Sequence, residues 1–133
     1  MSESEQGGVL ALVAGHGDFA AGIVSAVGQI TGRGDAFVTL SNRDMSAVDV
    51  ERAMREQVDG KSLSVIFTDL PAGSCTMAAR RLQRERPAVV IVTGTNLATL
   101  LDFVFHVDIP ASEAAKHAAE KGRAALVVTG GTG

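Results

Sequence analysis

Short apolar runs alternate with longer amphipathic stretches along the chain, and this pattern predicts repeated β–α units around a mainly parallel sheet. Each apolar run is five or six residues long and mostly aliphatic, as buried strands of a parallel sheet are. We therefore predict an α/β fold with a doubly wound sheet. The predicted strands are Val9–Ala14, Ala36–Leu40, Leu63–Thr68, Ala88–Thr93 and Ala124–Val128.

The stretches between these strands have helical spacing. Phe19, Ile23, Val27 and Ile30 recur at intervals of four, four and three residues, which predicts a first helix ended by Gly32. The other predicted helices are a segment from the N-cap Ser46 to Asp59-Gly60, then Ser74–Glu85, Leu97–Phe105 and the alanine-rich Ser112–Gly122.

Length and composition exclude several classes of protein. The 133 residues predict one domain spanning residues 1–133, and the net charge of −3 is unlike that of a nucleic-acid-binding protein. Cys75 is the single cysteine, and neither it nor His16, His106 and His117 stand at the spacing of a zinc site, so we expect no metal and no disulfide. Apolar runs fall short of the roughly 18 residues that span a bilayer, which favours a cytoplasmic protein.

Candidate chemistry lies in three loops that follow predicted strands. In a doubly wound sheet, ligands bind beyond the carboxyl ends of the strands, where the strand order reverses. The loops read Gly15-His16-Gly17-Asp18, Asp69-Leu70-Pro71-Ala72-Gly73-Ser74 and Gly94-Thr95-Asn96. We expect all three to converge on one crevice.

His16 and Asp69 are the candidate catalytic pair. A neutral imidazole is a nucleophile near pH 7, and a carboxylate that accepts a hydrogen bond from one ring N–H leaves the other ring nitrogen free to attack. The same carboxylate stabilises the cation formed when that nitrogen is bonded to a phosphoryl group. The alternative is a hydrogen-bonded turn histidine without chemistry.

Gly73 and Ser74 are the candidate phosphoryl-binding residues, because they open a predicted helix whose free N–H groups and positive dipole end attract anions. Ser74 has the alternative of a simple N-cap. Cys75 lies in the same turn, but a free cysteine is more often a small buried residue than a catalytic thiol.

Other features have competing interpretations. Gly15–Ala20 also fits the dinucleotide fingerprint Gly-x-Gly-x-x-Ala, with Arg43 placed for the 2′-phosphate of NADP. His106 and His117 are predicted to be surface or packing residues. Arginines of the third helix form either a solvated face or a docking patch for an acidic partner; they are Arg80, Arg81, Arg84 and Arg86.

Together these motifs resemble the mannose-type IIA component of the bacterial phosphoenolpyruvate-dependent sugar phosphotransferase system. The resemblance covers roughly Val9–Thr129. It rests on three segments, Leu12-Val13-Ala14-Gly15-His16-Gly17-Asp18-Phe19-Ala20, Phe67-Thr68-Asp69-Leu70-Pro71-Ala72-Gly73-Ser74 and Thr93-Gly94-Thr95-Asn96-Leu97-Ala98-Thr99-Leu100-Leu101.

The resemblance implies a phosphohistidine relay without a cofactor. His16 would accept a phosphoryl group from the histidine-containing phosphocarrier protein and pass it to a IIB component, with Asp69 orienting the ring and Ser74 holding the phosphoryl oxygens. The membrane would be reached only indirectly, through a IIC/IID transporter. The family fold further implies a homodimer in which a last antiparallel strand, here Ala124–Val128, is exchanged between subunits.

Two related functions share these motifs. The phosphotransfer subunit of dihydroxyacetone kinase resembles this chain, although its usual Asp-Met-Gly-Ser turn differs from the segment Asp69–Ser74. A phosphorylation-dependent regulator would keep His16 but bind a target instead of supplying a transporter.

Overall fold

A parallel four-stranded sheet organises residues 8–132, the part of the chain that the computed structural model of the protein describes. The strand order is 2-1-3-4. The second strand lies on one side of the first strand, and the chain then crosses to the other side to form the third and fourth strands. This confirms the predicted doubly wound arrangement, and it brings the carboxyl ends of the first three strands together. The strands are β1 (Ala11–Gly15), β2 (Phe37–Ser41), β3 (Val65–Thr68) and β4 (Val90–Val92).

All five predicted helices are present within the described residues. Local signals explain their limits: Gly32 ends the first helix with a left-handed φ of 76°, and Ser46 begins the second with a capping box that also involves Asp49. The helices are α1 (Phe19–Thr31), α2 (Ala47–Gly60), α3 (Ser74–Glu85), α4 (Leu97–Val104) and α5 (Ala111–Ala124).

The helices cover both faces of the sheet. Leu12 and Ile66 lie on the face packed by α2 and α3, whereas Val13 and Phe67 lie on the face packed by α1, α4 and α5. Neighbouring strand residues point to opposite faces, and both faces are buried, which explains why β1 reads as an unbroken apolar run. The sheet is therefore a rigid support for the loops at its carboxyl edge.

The fifth predicted strand, Ala124–Val128, does not form in this chain. Lys121 and Arg123 favour the carboxyl end of α5 through the helix dipole, and the helix continues to Ala124. Residues 125–132 then have no regular secondary structure, and the side chains of Leu126, Val127 and Val128 are 84%, 69% and 93% exposed. A strand needs a neighbour for its backbone hydrogen bonds, and residues 8–132 of a single chain provide none for this segment.

Two of the four arginines predicted as a cluster on the third helix form ion pairs within the fold. Arg81 Nε lies 2.6 Å from Glu51 Oε1, and Arg86 lies 2.7 Å from Asp59, both carboxylates being on α2. Arg80 and Arg84 are exposed. The ion pairs of Arg81 and Arg86 therefore join α3 to α2, which weakens the interpretation of all four arginines as a docking patch.

Candidate active site

His16 stands in the tight turn between β1 and α1, at the carboxyl end of the sheet. Close packing at Gly15 makes this turn possible: a Cβ atom there would lie 2.6 Å from Phe19 Cδ2 and 3.0 Å from Asp69 Cγ. Gly17, on the other side of the histidine, has a left-handed φ of 52°. The two glycines therefore let the backbone turn while His16 stays beside Asp69.

Asp69 holds His16 by two hydrogen bonds to one carboxylate oxygen. Its Oδ2 lies 2.7 Å from His16 Nδ1 and accepts a second bond, of 2.9 Å, from the His16 backbone amide. The His16 side chain is 50% exposed and that of Asp69 only 10%. The predicted pair is thus in contact, with the carboxylate on the protein side and the ring facing solvent.

The electrostatics keep Asp69 ionised. Burial by itself raises the pKa of this carboxyl, but the hydrogen bonds from the ring and amide of His16 outweigh burial and hold the pKa below its usual value. An ionised Asp69 accepts a hydrogen bond from Nδ1–H, which fixes the ring tautomer and leaves the lone pair on Nε2. The arrangement therefore favours Nε2 as the nucleophile.

Gly73 lies against the imidazole. A Cβ atom at Gly73 would be 3.1 Å from His16 Cε1 and 3.8 Å from Nε2, and the residue has a φ of 118° that L-amino acids rarely adopt. Gly73 is also the N-cap of α3. The start of α3, where free backbone N–H groups attract anions, is thereby brought next to Nε2 of His16.

Ser74 is the first residue inside α3, not its N-cap, so the simple capping interpretation of this serine is wrong. Its Oγ instead accepts a 2.7 Å hydrogen bond from Asn42 Nδ2. Because a hydroxyl both accepts and donates, this bond leaves the Ser74 proton available to an anion. Asn42 was not predicted as a site residue; the only available signal was its position directly after the second strand.

A buried threonine pair supports the loop that carries Asp69. Thr76 Oγ1 lies 2.7 Å from Thr68 Oγ1 and donates to the carbonyl of Leu70 at 2.5 Å. Both threonines are fully buried. These bonds tie the first turn of α3 to the end of β3, so Asp69 and Gly73 are held on one rigid corner.

Cys75 is not a reactive thiol in this environment. Burial, with a contribution from the nearby Asp69 charge, raises the pKa of Cys75 to about 11. The side chain packs in the core against the sheet. The sequence-based expectation that Cys75 is a small buried residue is consistent with this placement.

The sequence pattern predicts that the third loop contributes Asn96 to the crevice, and this prediction is wrong. Asn96 caps α4 by accepting from the Thr99 amide, and its Nδ2 donates to the Gly122 carbonyl of α5 at 2.8 Å. These contacts join two helices on one face of the sheet. Asn96 is therefore a structural residue.

Arg43 lies beside the histidine turn but is paired there. Its Nη2 is 3.1 Å from Asp18 Oδ1 and would be 3.4 Å from a Cβ atom at Gly17. The 2′-phosphate of NADP would have to compete with this carboxylate. The geometry thus gives the dinucleotide interpretation no support beyond the motif itself.

No helix within residues 8–132 has the length and apolar character needed to cross a bilayer.

A search of functionally curated proteins gave no match. Solved structures share the fold: a phosphotransferase system component EIIA from Streptococcus agalactiae is 25% identical, with 90% of this chain and 96% of that chain covered and a TM-score of 0.77.

Two further structures have a similar architecture. The phosphotransferase system IIA protein associated with the fucose utilization operon of Streptococcus pneumoniae is 27% identical, with coverage of 90% and 91% and a TM-score of 0.74. A mannose/sorbose-specific IIA subunit from Enterococcus faecalis, at 18% identity, coverage of 94% and 97% and a TM-score of 0.77, shows the fold alone.

The family comparison covers most of the chain and agrees with the resemblance stated from the motifs. The sequence profile described as the phosphotransferase system fructose IIA component matches residues 11–120, from β1 into α5, and so includes both the His16 turn and the Asp69 corner. The chain belongs to this family of phosphotransferase system IIA components.

Proposed function

We propose that the protein is a phosphohistidine relay in which His16 accepts a phosphoryl group from the histidine-containing phosphocarrier protein and passes it to a IIB component for sugar uptake. Membership of the IIA family supports phosphotransfer within a sugar phosphotransferase system. The observation that carries the assignment to one residue is the 2.7 Å contact between His16 Nδ1 and Asp69 Oδ2, which leaves Nε2 of the half-exposed ring free.

The transfer step follows from this geometry. The Nε2 lone pair attacks the phosphorus atom of the carrier's phosphohistidine, the new N–P bond forms, and the carrier's N–P bond breaks with its electron pair returning to the carrier imidazole. His16 then carries the positive charge of a doubly substituted ring, which the Asp69 carboxylate stabilises through Nδ1–H. In the second transfer a nucleophile of IIB attacks the phosphorus atom and forms a new bond to it, while the His16 N–P bond breaks and its electron pair returns to Nε2.

The start of α3 is suited to the phosphoryl oxygens. Gly73 permits close approach of the helix N-terminus to the ring, and backbone N–H groups there point toward anions at a positive dipole end. Ser74, oriented by Asn42, supplies a hydroxyl donor. The protein would thus bind the transferred group without a metal or cofactor.

Exposed apolar side chains flank the proposed site and suit a transient protein partner. Leu70 follows Asp69, Met77 is one turn into α3, and Met45 closes a turn on Asn42. Apolar and methionine side chains on a polar surface are typical of an interface. We assign this surface to the phosphocarrier protein and IIB, which must both reach His16.

The decisive experiment is phosphorylation of the full chain with phosphoenolpyruvate, enzyme I and the phosphocarrier protein, followed by intact mass measurement before and after acid treatment. We expect one acid-labile phosphoryl group, absent in His16→Ala and retained in the matched control His117→Ala. Addition of a IIB component should then discharge the adduct. An unmodified wild-type chain, or an adduct that survives in His16→Ala, would contradict the proposal.

The onward step separates transport from the related functions. Discharge to IIB supports the sugar relay, whereas discharge only to the nucleotide-binding subunit of a dihydroxyacetone kinase would favour that alternative. A stable adduct that changes binding to another protein, with no onward transfer, would indicate a regulator.

We also propose that the protein is a homodimer joined through its C-terminal segment. β4 is an edge strand of the sheet, and Leu126, Val127 and Val128 form an exposed apolar run directly after α5. An apolar strand and an unpaired sheet edge are complementary, and pairing between two copies would satisfy both.

Truncation tests this dimer. Removal of Ala125–Gly133 begins one residue after α5 and should convert the dimer to a monomer in light scattering, whereas removal of Gly130–Gly133 alone, which keeps the apolar run, should leave it dimeric. A monomeric full chain, or a dimer that survives the longer truncation, would show that this segment is not the dimerising element.

A further inference from the structure

A second cluster of chemically active side chains lies away from His16, between α4 and α5. Asp102 is on the last turns of α4, His106 follows that helix, and His117 faces them from α5. Their ligand atoms, one from each residue, all lie within 4.8 Å of one another. From the sequence both histidines are predicted to be surface or packing residues, because His106 follows the apolar stripe Leu97–Phe105 and His117 lies on an alanine-rich helix.

The geometry of the cluster centres on Asp102 Oδ2. This oxygen lies 2.7 Å from His117 Nδ1 and 3.4 Å from His106 Nδ1, and the two imidazole rings have centroids 4.4 Å apart. Ligand atoms around a tetrahedral zinc ion stand about 3.3 Å apart, given bonds of about 2.0–2.1 Å. The 3.4 Å separation is close to that of two ligands on one ion, whereas the 2.7 Å separation is that of a hydrogen bond, which must open before an ion can lie between His117 and Asp102.

We propose that Asp102, His106 and His117 form a divalent transition-metal site of the zinc type, with three protein ligands and an open position for water. Two imidazole nitrogens and one carboxylate oxygen are the donor set that favours zinc over magnesium or calcium. The Asp102 side chain is only 12% exposed, so its orientation is fixed by the fold, while the histidines are accessible enough to admit an ion.

The site is separate from the phosphotransfer site. Asn96, the N-cap of α4, follows the carboxyl end of β4, and the helix runs from there back toward the amino ends of the strands. His106 lines a small cavity together with Leu10, which immediately precedes β1, whereas His16 follows the carboxyl end of β1. A metal at this cluster would therefore not contact the transferred phosphoryl group.

Metal binding would join α4 to α5, the helix that leads into the C-terminal segment. His106 Nδ1 also lies 2.9 Å from the backbone carbonyl oxygen of Asp102, which can only accept, so this nitrogen carries its proton in the absence of a metal. Coordination requires the lone pair of each Nδ1, so metal binding must displace the protons that hold both rings to Asp102. An ion bound only by the folded chain stabilises that chain by mass action. The expected consequence is a metal-dependent rise in the melting temperature, independent of phosphotransfer activity.

The test is titration of the full chain with Zn²⁺ in competition with a chromophoric chelator. We expect one saturable site per chain, weakened at least roughly tenfold in Asp102→Asn and in His117→Gln, since even the loss of an outer-shell partner costs about 10–100-fold. Two matched controls, Glu120→Gln on α5 and His16→Gln at the phosphotransfer site, should bind Zn²⁺ as the wild type does.

Imidazole NMR of the wild-type chain provides a second measurement that does not depend on whether a variant folds. Zn²⁺ should shift the Nδ1 signals of His106 and His117 and leave those of His16 unchanged. The proposal is overturned by the absence of saturable one-to-one binding, by undiminished binding in a folded His117→Gln chain, or by shifts confined to His16.

Discussion

The role of Asp69 can be tested by one substitution that preserves its shape. In Asp69→Asn the amide oxygen can still accept the hydrogen bonds that Oδ2 now accepts from His16 Nδ1 and from the His16 amide, at 2.7 Å and 2.9 Å. The substitution removes the negative charge and keeps the contacts. Any loss of transfer rate in a folded variant therefore measures the charge itself.

The size of the effect follows from the hydrogen bond. A bond to a charged group contributes about 1.5–3 kcal/mol and a neutral one about 0.5–1.5 kcal/mol, so neutralising Asp69 costs about 1–1.5 kcal/mol. At about 1.36 kcal/mol per factor of ten, the transfer rate should fall about tenfold. The Coulomb energy of two unit charges 4 Å apart, about 4 kcal/mol at an effective dielectric constant of about 20, is larger than this estimate. Because the His16 ring is half exposed, solvent reduces the effect to the lower end of this range.

The assay is rapid-quench phosphorylation of the full chain by the phosphorylated carrier protein. The matched control is Asp59→Asn, which removes a carboxylate that pairs with Arg86, away from the histidine. Asp59→Asn should transfer at the wild-type rate. A wild-type rate constant in a folded Asp69→Asn chain would refute the electrostatic role assigned to Asp69.

Three further predictions concern the site and its surroundings. Gly73→Ala should slow transfer strongly, because the added Cβ atom would lie 3.1 Å from His16 Cε1. Gly32→Ala is the control: Gly32 also has a positive φ, but its added Cβ would meet none of the described residues outside its own turn within 4 Å, so only stability should fall. Equal transfer rates in the two variants would contradict this prediction. The free energy of unfolding should fall as pH decreases from the ordinary Asp pKa through the lower folded pKa of Asp69, because a depressed pKa stabilises the fold only while the carboxyl is ionised. Chemical denaturation over this pH range should show a smaller fall in Asp69→Asn. An equal dependence of the unfolding free energy on pH in both proteins would contradict this prediction. Equilibrium titration should detect no binding of NADP(H). A micromolar dissociation constant, which corresponds to a binding free energy of about 8 kcal/mol, together with weaker binding when Arg43 is neutralised, would overturn the phosphotransfer assignment.

Elements with local signals were predictable from the sequence. The α2 start follows from Ser46 and its capping box, and the α1 end follows from Gly32, because these residues satisfy backbone groups within a few positions of themselves. The two faces of the sheet likewise follow from continuous apolar runs. The helix limits and the burial of both sheet faces therefore needed no knowledge of distant contacts.

The fifth strand shows where such reasoning fails. Leu126, Val127 and Val128 have the composition of a buried strand, yet in this chain they lie exposed after α5. Composition records that a segment prefers burial, but pairing depends on which edge is available and on which copy of the chain provides it. The pattern could not supply that information.

The same distinction explains the site residues that the sequence did not reveal. Asn42 bonds Ser74 from 32 positions away, and His117 reaches Asp102 from 15 positions away. Neither pair forms a compact motif. Each partner was visible as a polar residue, but only the packing of elements brings the two together.

Sheet register is the physical origin of the His16–Asp69 contact. In the parallel pairing of β1 with β3, Ala14 stands opposite Thr68, so the first residues beyond each strand emerge side by side. A slip of one residue would turn every β3 side chain to the other face of the sheet, so that Ile66 would face α1, α4 and α5 and Phe67 would face α2 and α3, and the packing on both faces would be lost. The buried faces thus fix the register, and the register fixes the carboxylate beside the imidazole. The reactive geometry is therefore maintained by core packing as much as by the two residues that form it.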